Sequence, residues 1–283
     1  MNGISGWHYY NHALLPDCPP EVQADARDIE SGEIWKHAPG SAILARWTSD
    51  FDCDYETQWW YVIKDAPFAV DALKAKRRYE INRGSKFFDV KMIDPRDYLD
   101  ELYTVQLDAY SVYPEKYRPR IERESWIKTV EEQWRDDFNF VFGAFSRENG
   151  ELCGYARLTR QGRAVHFVGQ KTKPCCEKQS INAALVAKVL EYFDKDLGRG
   201  SYICDGARNI QHETAFQDYL EKYFGFRKAY CRLHVAYNPR YKWSIGILYR
   251  MRKILGKLDS IGVVHKINGV LKMEEIVRQQ AKE

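Results

Sequence analysis

In the last third of the chain, six polar side chains follow Asp205-Gly206 in one short run, Cys204-Asp205-Gly-Ala-Arg-Asn-Ile-Gln-His212-Glu-Thr214. Tyr202 to Asp205 has the pattern of a short buried strand. Strand ends of this kind are where α/β folds place sites, because the following loop is exposed yet anchored. Asp205 could orient an amine or a base, and Arg208 could hold a carboxylate or phosphate with its two-pronged donor. Asn209 is a further polar contact, and His212 could act as the base. The same run also reads as a helix-capping loop with Asn209 or Thr214 as the cap. Upstream, His166 alternates with Val165 and Phe167 in Ala164-Val-His-Phe-Val-Gly-Gln170, so it shares a face with Ala164 and Val168. It reads either as a general base or as a satisfied strand histidine.

A second group lies near the N-terminus. Asp50, Asp52, Asp54 and Glu56 alternate next to Trp59-Trp60-Tyr61. Alternating acids on an extended segment share one face, and with aromatic neighbours they could bind a cationic amine or a sugar. A calcium loop of the EF-hand type would need a glycine and a terminal glutamate that are absent here, and a solvated acidic link is the other reading. Asp52, Trp59 and Trp60 are therefore the substrate-contact candidates of this region. The seven cysteines are odd in number and form no Cys-x-x-Cys, so neither a disulfide framework nor a zinc site is expected, and a reduced cytosol is.

The elements that must position these groups follow from periodicity and punctuation. Residues 1–40 read as irregular, because turn formers interrupt every period. Ala42–Thr48 and Thr57–Lys64 read as strands. Ala69–Arg83 reads as a helix with Val70, Leu73, Ala75 and Ile81 inward, Lys74, Lys76, Arg77 and Arg78 outward, and Gly84 as its C-cap. A strand over Lys86–Ile93 and two helices, opened by Pro95 and near Glu122, lead to three strands at 138–146, 152–159 and 164–170. The turns Glu148-Asn-Gly150 and Gln161-Gly162 are short enough to make these an antiparallel meander. Ser180 is expected to cap a long helix to Asp196, stopped by Gly198 and Gly200. A strand at 202–205, a helix at 213–224 ended by Gly225, and a strand at 226–237 complete the order. Residues 241–256 and 259–280 read as two basic amphipathic helices.

From Phe138 to Tyr237 the order is strand, strand, strand, helix, strand, helix, strand, and Tyr-Phe-Gly225-Phe226-Arg runs straight into an apolar strand. This resembles the GNAT superfamily of acyl-CoA N-acyltransferases. The stretch Leu73-Lys-Ala-Lys-Arg-Arg-Tyr-Glu-Ile-Asn-Arg-Gly84, with the strand after it, is similar to the middle of the Fem-type aminoacyltransferases, a two-lobed branch of that superfamily. The resemblance implies an α+β fold: a GNAT-like mixed, mostly antiparallel sheet flanked by helices. Residues 1–94 would form a partial second lobe, 95–237 the acyltransferase core and 238–283 a basic helical tail.

The resemblance also implies a centre where the last meander strand splays from the strand after the long helix. It would bring His166, Gln170, Asp205 and Arg208 together. Tyr219 or Tyr223 would protonate the leaving thiolate. Acyl-CoA would meet Lys173, Lys178, Gln179 and Ser180, although the family's glycines are missing from Lys173-Pro-Cys-Cys-Glu-Lys-Gln-Ser180. The expected activity is N-acyl transfer to the amine of a small molecule or an amino sugar, with no metal. A Fem-like enzyme using aminoacyl-tRNA and a non-catalytic GNAT-like binding module are the alternatives.

Charge separates the tail from the rest. Residues 238–283 hold ten Lys or Arg against four acids, a net +6, which leaves −3 for residues 1–237. Contact with tRNA or with an anionic membrane surface should originate there. No apolar run of the roughly 18 residues that a spanning helix needs occurs, and the first twenty residues lack the order of a secretory signal. Hydrophobic residues at 45% and charged residues at 29% exclude wholesale disorder.

Overall fold

The computed structural model describes residues 6–113, 115, 118–134, 137–210 and 215–281. In chain order the elements are β1 (Trp7–Tyr10), β2 (Ala13–Pro16), α1 (Arg27–Glu30), α2 (Ile34–His37), β3 (Leu44–Ser49), β4 (Trp59–Lys64), α3 (Ala75–Phe87), β5 (Phe88–Ile93), α4 (Leu99–Ser111), α5 (Arg123–Gln133), β6 (Asn139–Ser146), β7 (Leu152–Gln161) and β8 (Ala164–Thr172). They continue with α6 (Ile181–Phe193), β9 (Tyr202–Ala207), α7 (Ala215–Phe224), β10 (Arg227–Tyr237), α8 (Pro239–Arg250), α9 (Arg252–Leu255) and α10 (Gly262–Gln280). The result is a mixed, mostly antiparallel arrangement of ten strands flanked by helices. No helix among the described residues is long and apolar enough to cross a membrane.

Two compact units form. The first comprises the described parts of Met1–Val62, Gly206–Asp218 and Arg227–Glu283. Its strands run β1-β2-β3-β10-β4. β3 pairs antiparallel with β10 and parallel with β2. One core gathers Trp7, Leu14, Ile29 and Ile34, and another gathers Trp59, Cys231, Leu233 and Ile276 beneath α10. Residues 6–40 form more regular elements, β1, β2, α1 and α2, than their turn formers suggest. β1 and β2 make a hairpin whose two turn residues, Asn11 and His12, both take left-handed φ (47° and 68°). That is the turn whose twist matches paired strands.

The second unit comprises Ile63–Asp205 and Tyr219–Phe226, with strands in the order β9-β8-β7-β6-β5. The β5–β8 meander is antiparallel, and β9 joins β8 in parallel. One face carries α4 and α5 on a core of Leu102, Val105, Val130, Trp134, Val141 and Tyr155. The other face carries α6, apolar on nearly all sides, whose Phe193 ring meets Phe140 edge-on at 5.1 Å.

Four local expectations are corrected. Gly84 does not end α3, which runs on to Phe87. A Cβ at Gly84 would lie 2.6 Å from the Ser180 carbonyl oxygen and 2.8 Å from Ala184 Cβ, so close packing of α3 on α6 requires the glycine. Arg77 does not face solvent: it is 5% exposed, and its guanidinium lies 3.8 Å from the Tyr223 ring centroid and 5.1 Å from that of Tyr219. Ser180 does not cap α6 with its side chain; it takes φ 64° as the left-handed end of the 3-10 turn Pro174–Gln179. The acidic link before β4 is not extended, because Asp50 and Asp52 adopt φ 54° and 60°. Their carboxylates therefore do not line one face.

Candidate active site

The chemistry-bearing strand of the second unit is β8, and its register decides which side chains meet. Arg157 pairs with Gly169 and Leu158 with Phe167, so Val168 is an extra, bulged residue outside the β7 ladder. A bulge bends its strand and shifts every later side chain to the other face. Ahead of the bulge, Val165 pairs with Arg160, whose guanidinium packs on Phe140 and Phe193. Val165 thus belongs to the α6 face and His166 to the α4 face. Beyond the bulge, Gln170 lies on the α6 face, where its amide nitrogen donates to Asn182 Oδ1 at 2.8 Å. Simple alternation groups His166 with Gln170; the inserted residue separates them.

The parallel ladder of β8 with β9 comprises three residue pairs, Ala164–Tyr202, Val165–Ile203 and His166–Cys204. β8 then bulges and runs on to Thr172. Paired residues of parallel strands share a face, so Cys204 lies with His166, while Asp205, two residues after Ile203, lies with Val165 and Gln170. The end of the ladder therefore carries a half-buried imidazole on one face and a half-buried carboxylate on the other. Around His166 the α4 face is polar. Its ladder partner Thr159 donates to Asn139 Oδ1 at 2.7 Å, and Arg157 donates to the same oxygen. Lys171, on this face, lies 4.6 Å from the Tyr110 ring centroid, and burial pushes its ammonium pKa down. Lys171 has no signature in the sequence, because its placement depends on the bulge and on α4.

The segment before α6 was the expected place for acyl-CoA. Lys173 is buried and ion-paired with Glu151. That pairing outweighs the desolvation that would lower the ammonium pKa, which is raised, and it holds the Glu151 carboxyl below the usual range. Lys178 is exposed, and Gln179 and Ser180 are half-buried. With no glycine in the segment, with Lys173 committed to Glu151 and with α3 pressed on Ser180, these residues do not fit a pyrophosphate cradle. Cys175 and Cys176 place their sulfurs 3.7 Å apart, and all seven cysteines are free thiols. Among the described residues no group of side chains could hold a metal ion.

Tyr219 on α7 accepts a hydrogen bond from Arg77 Nη1 at 3.2 Å, and burial pushes its phenol up to about 12. Arg77 is also ion-paired with Glu80. Tyr219 and Tyr223 thus belong to an arginine–aromatic cluster between α3 and α7. His212 lies outside the described residues.

In the first unit the sequence candidates are held differently. Trp59 is 1% exposed and sits in the core, with Arg46 over its ring at 5.4 Å. Asp52 makes a two-pronged pair with Arg227 at 2.6 and 2.7 Å. Trp60 already meets two cations, Arg208 at 4.5 Å and Lys228 at 4.4 Å from its centroid. Those charges disfavour a cationic amine there. Arg208 Nη1 also donates to the Gln58 carbonyl at 2.7 Å, and burial lowers its pKa. Asn209 is exposed. A cleft of about 310 Å³ lies against β5 and β6, lined by Met92, Asp94, Trp134 and by Asn139, the residue that accepts from His166's ladder partner Thr159.

No family model matches the chain, and no curated protein matches it. Solved structures do resemble it. L-PGS from Bacillus licheniformis is 14% identical over 88% of this chain and 84% of that one, with a TM-score of 0.48. The C-terminal domain of a protein given as a lysylphosphatidylglycerol synthetase, from Agrobacterium fabrum, is 12% identical over 82% and 79%, with a TM-score of 0.48. A GCN5-related N-acetyltransferase-like protein from Streptococcus suis is 12% identical over 81% of each chain, with a TM-score of 0.39.

Proposed function

We propose that the protein transfers an acyl group from an activated carrier to an amine, at the end of the β8–β9 ladder. One observation carries this reading: the ladder stops at His166–Cys204, just before β8 bulges at Val168. Such a transfer needs an amine freed of its proton, a polarised carbonyl and alignment of the two. His166 is the base. Val168, outside the β7 ladder, offers main-chain polarity to the donor carbonyl. Asp205 and Gln170 orient groups on the α6 face. The acceptor is the amine of a small molecule or an amino sugar, and seven free thiols suit a reducing compartment.

Acyl-CoA is the donor expected from the family resemblance. The segment before α6 favours a second donor, aminoacyl-tRNA, which needs no pyrophosphate cradle there. Thermal unfolding with acetyl-CoA, a long-chain acyl-CoA, bare CoA and aminoacyl-tRNA separates the two, because the donor that binds the native state raises Tm. His166→Gln should then lower kcat by roughly 10²–10⁴-fold with Tm unchanged. If no donor shifts Tm and His166→Gln and Asp205→Asn leave the cellular phenotype intact, the enzymatic reading fails and a binding module remains.

A further inference from the structure

Between Pro239 and Leu258 the chain carries six Lys or Arg and no Asp or Glu. α8 buries Ile245 and exposes the opposite side, where 3.6-residue periodicity sets Arg240, Trp243, Ile247 and Arg250 on one face. Trp243 is 78% exposed. The exposed apolar series continues through Met251, Ile254 at 60% and Leu258 to Val263 at 70%. Single exposed hydrophobic residues are ordinary, but a sustained series is not. Of the six cations, Arg252 folds back onto Tyr249 and lies 3.8 Å from Glu275. Arg240, Lys242, Arg250, Lys253 and Lys257 are exposed around the apolar series.

We propose that the segment 239–263 is a docking surface for an anionic lipid bilayer. Indole and aliphatic side chains interleaved with six lysines and arginines, against one acid, Asp259, whose carboxylate is hydrogen-bonded to His265 and Asn268, suit the headgroup boundary: the apolar groups enter the acyl edge and the cations meet lipid phosphates. Nucleic acid would use the cations but would gain little from exposed isoleucine and leucine. An acidic protein partner would likewise leave most of the apolar series uncovered. Charge complementarity together with the apolar series selects the bilayer.

The test is co-sedimentation of the full chain with vesicles of phosphatidylcholine alone and of phosphatidylcholine with about one third phosphatidylglycerol. The wild type should pellet with the anionic vesicles and remain in solution with the neutral ones. Lys253→Gln/Lys257→Gln should weaken partitioning roughly 20–30-fold, at about fivefold per cation. Trp243→Gln/Ile254→Gln should weaken it about tenfold or more. All four side chains are exposed, so both variants should keep the wild-type Tm, which checks that they fold. Equal partitioning of the wild type to both vesicles, or wild-type binding by the apolar variant, would overturn the proposal. So would tRNA binding without vesicle binding, or a dimer that the apolar variant abolishes while vesicles stay unbound. None of these outcomes bears on acyl transfer, which the donor and kcat measurements test separately.

Discussion

Replacing Gly84 by alanine tests the packing that positions the start of α6. The two helices touch at Gly84, where an added Cβ would meet the Ser180 carbonyl oxygen at 2.6 Å and Ala184 Cβ at 2.8 Å. Neither atom is the free end of a flexible side chain, so relief requires a helix to move. Alanine gains about 1 kcal/mol of helix propensity over glycine. Overpacking a close contact costs about 1–3 kcal/mol, and the upper part of that range applies where backbone resists. The net expectation is a destabilisation of about 1–2 kcal/mol, or a fall in Tm of roughly 2–6 °C. Gly246 supplies the internal contrast. It also lies inside a helix, α8, but a Cβ there meets nothing within 4 Å. Gly246→Ala should therefore stabilise by about 0.5–1 kcal/mol. Urea titration of both variants beside the wild type gives the two signs directly. Gly84→Ala at or above wild-type stability would falsify the described approach of α3 to α6.

Arg77→Met should cost about 2–3 kcal/mol, below the full value for a buried pair because Glu80 keeps 26% of its surface in water. Adding Glu80→Gln should recover part of that loss in a double-mutant cycle; strict additivity would mean that the pair does not couple. His234 carries a pH signature. Its imidazole stacks on Trp47 at 5.2 Å and its Nε2 lies 2.7 Å from Ser49 Oγ, while burial and the neighbouring Arg232 push its pKa below 6.5. The unfolded chain then takes up the proton first, so this contribution is whole above 6.5 and is lost as pH falls through the lowered folded value. His234→Gln should flatten the acid side of a stability–pH profile, and an unchanged slope would refute the assignment.

The order of elements was legible because its causes are local. Short turns at Glu148-Asn-Gly150 and Gln161-Gly162 join neighbouring strands, and Gly225 with its positive φ ends α7 at Phe224 wherever that helix packs, whereas α6 already ends at Phe193, before Gly198 and Gly200. Alternation and 3.6-residue periodicity likewise belong to a segment alone. The polar character of the β8 and β9 stretches was also visible, as was the missing glycine loop before α6. Tertiary structure decided what each group faces. One inserted residue, Val168, puts His166 and Gln170 on opposite faces, and a bulge is a property of a strand pair. Arg77 carries the sequence signature of a solvated run, yet three aromatic rings of α7 surround its guanidinium. Gly84 has the sequence position of a helix stop and the structural role of a helix contact, because the atoms that exclude a side chain there come from residues about a hundred positions away. Periodicity sets what a segment presents; partners distant in sequence set what it meets.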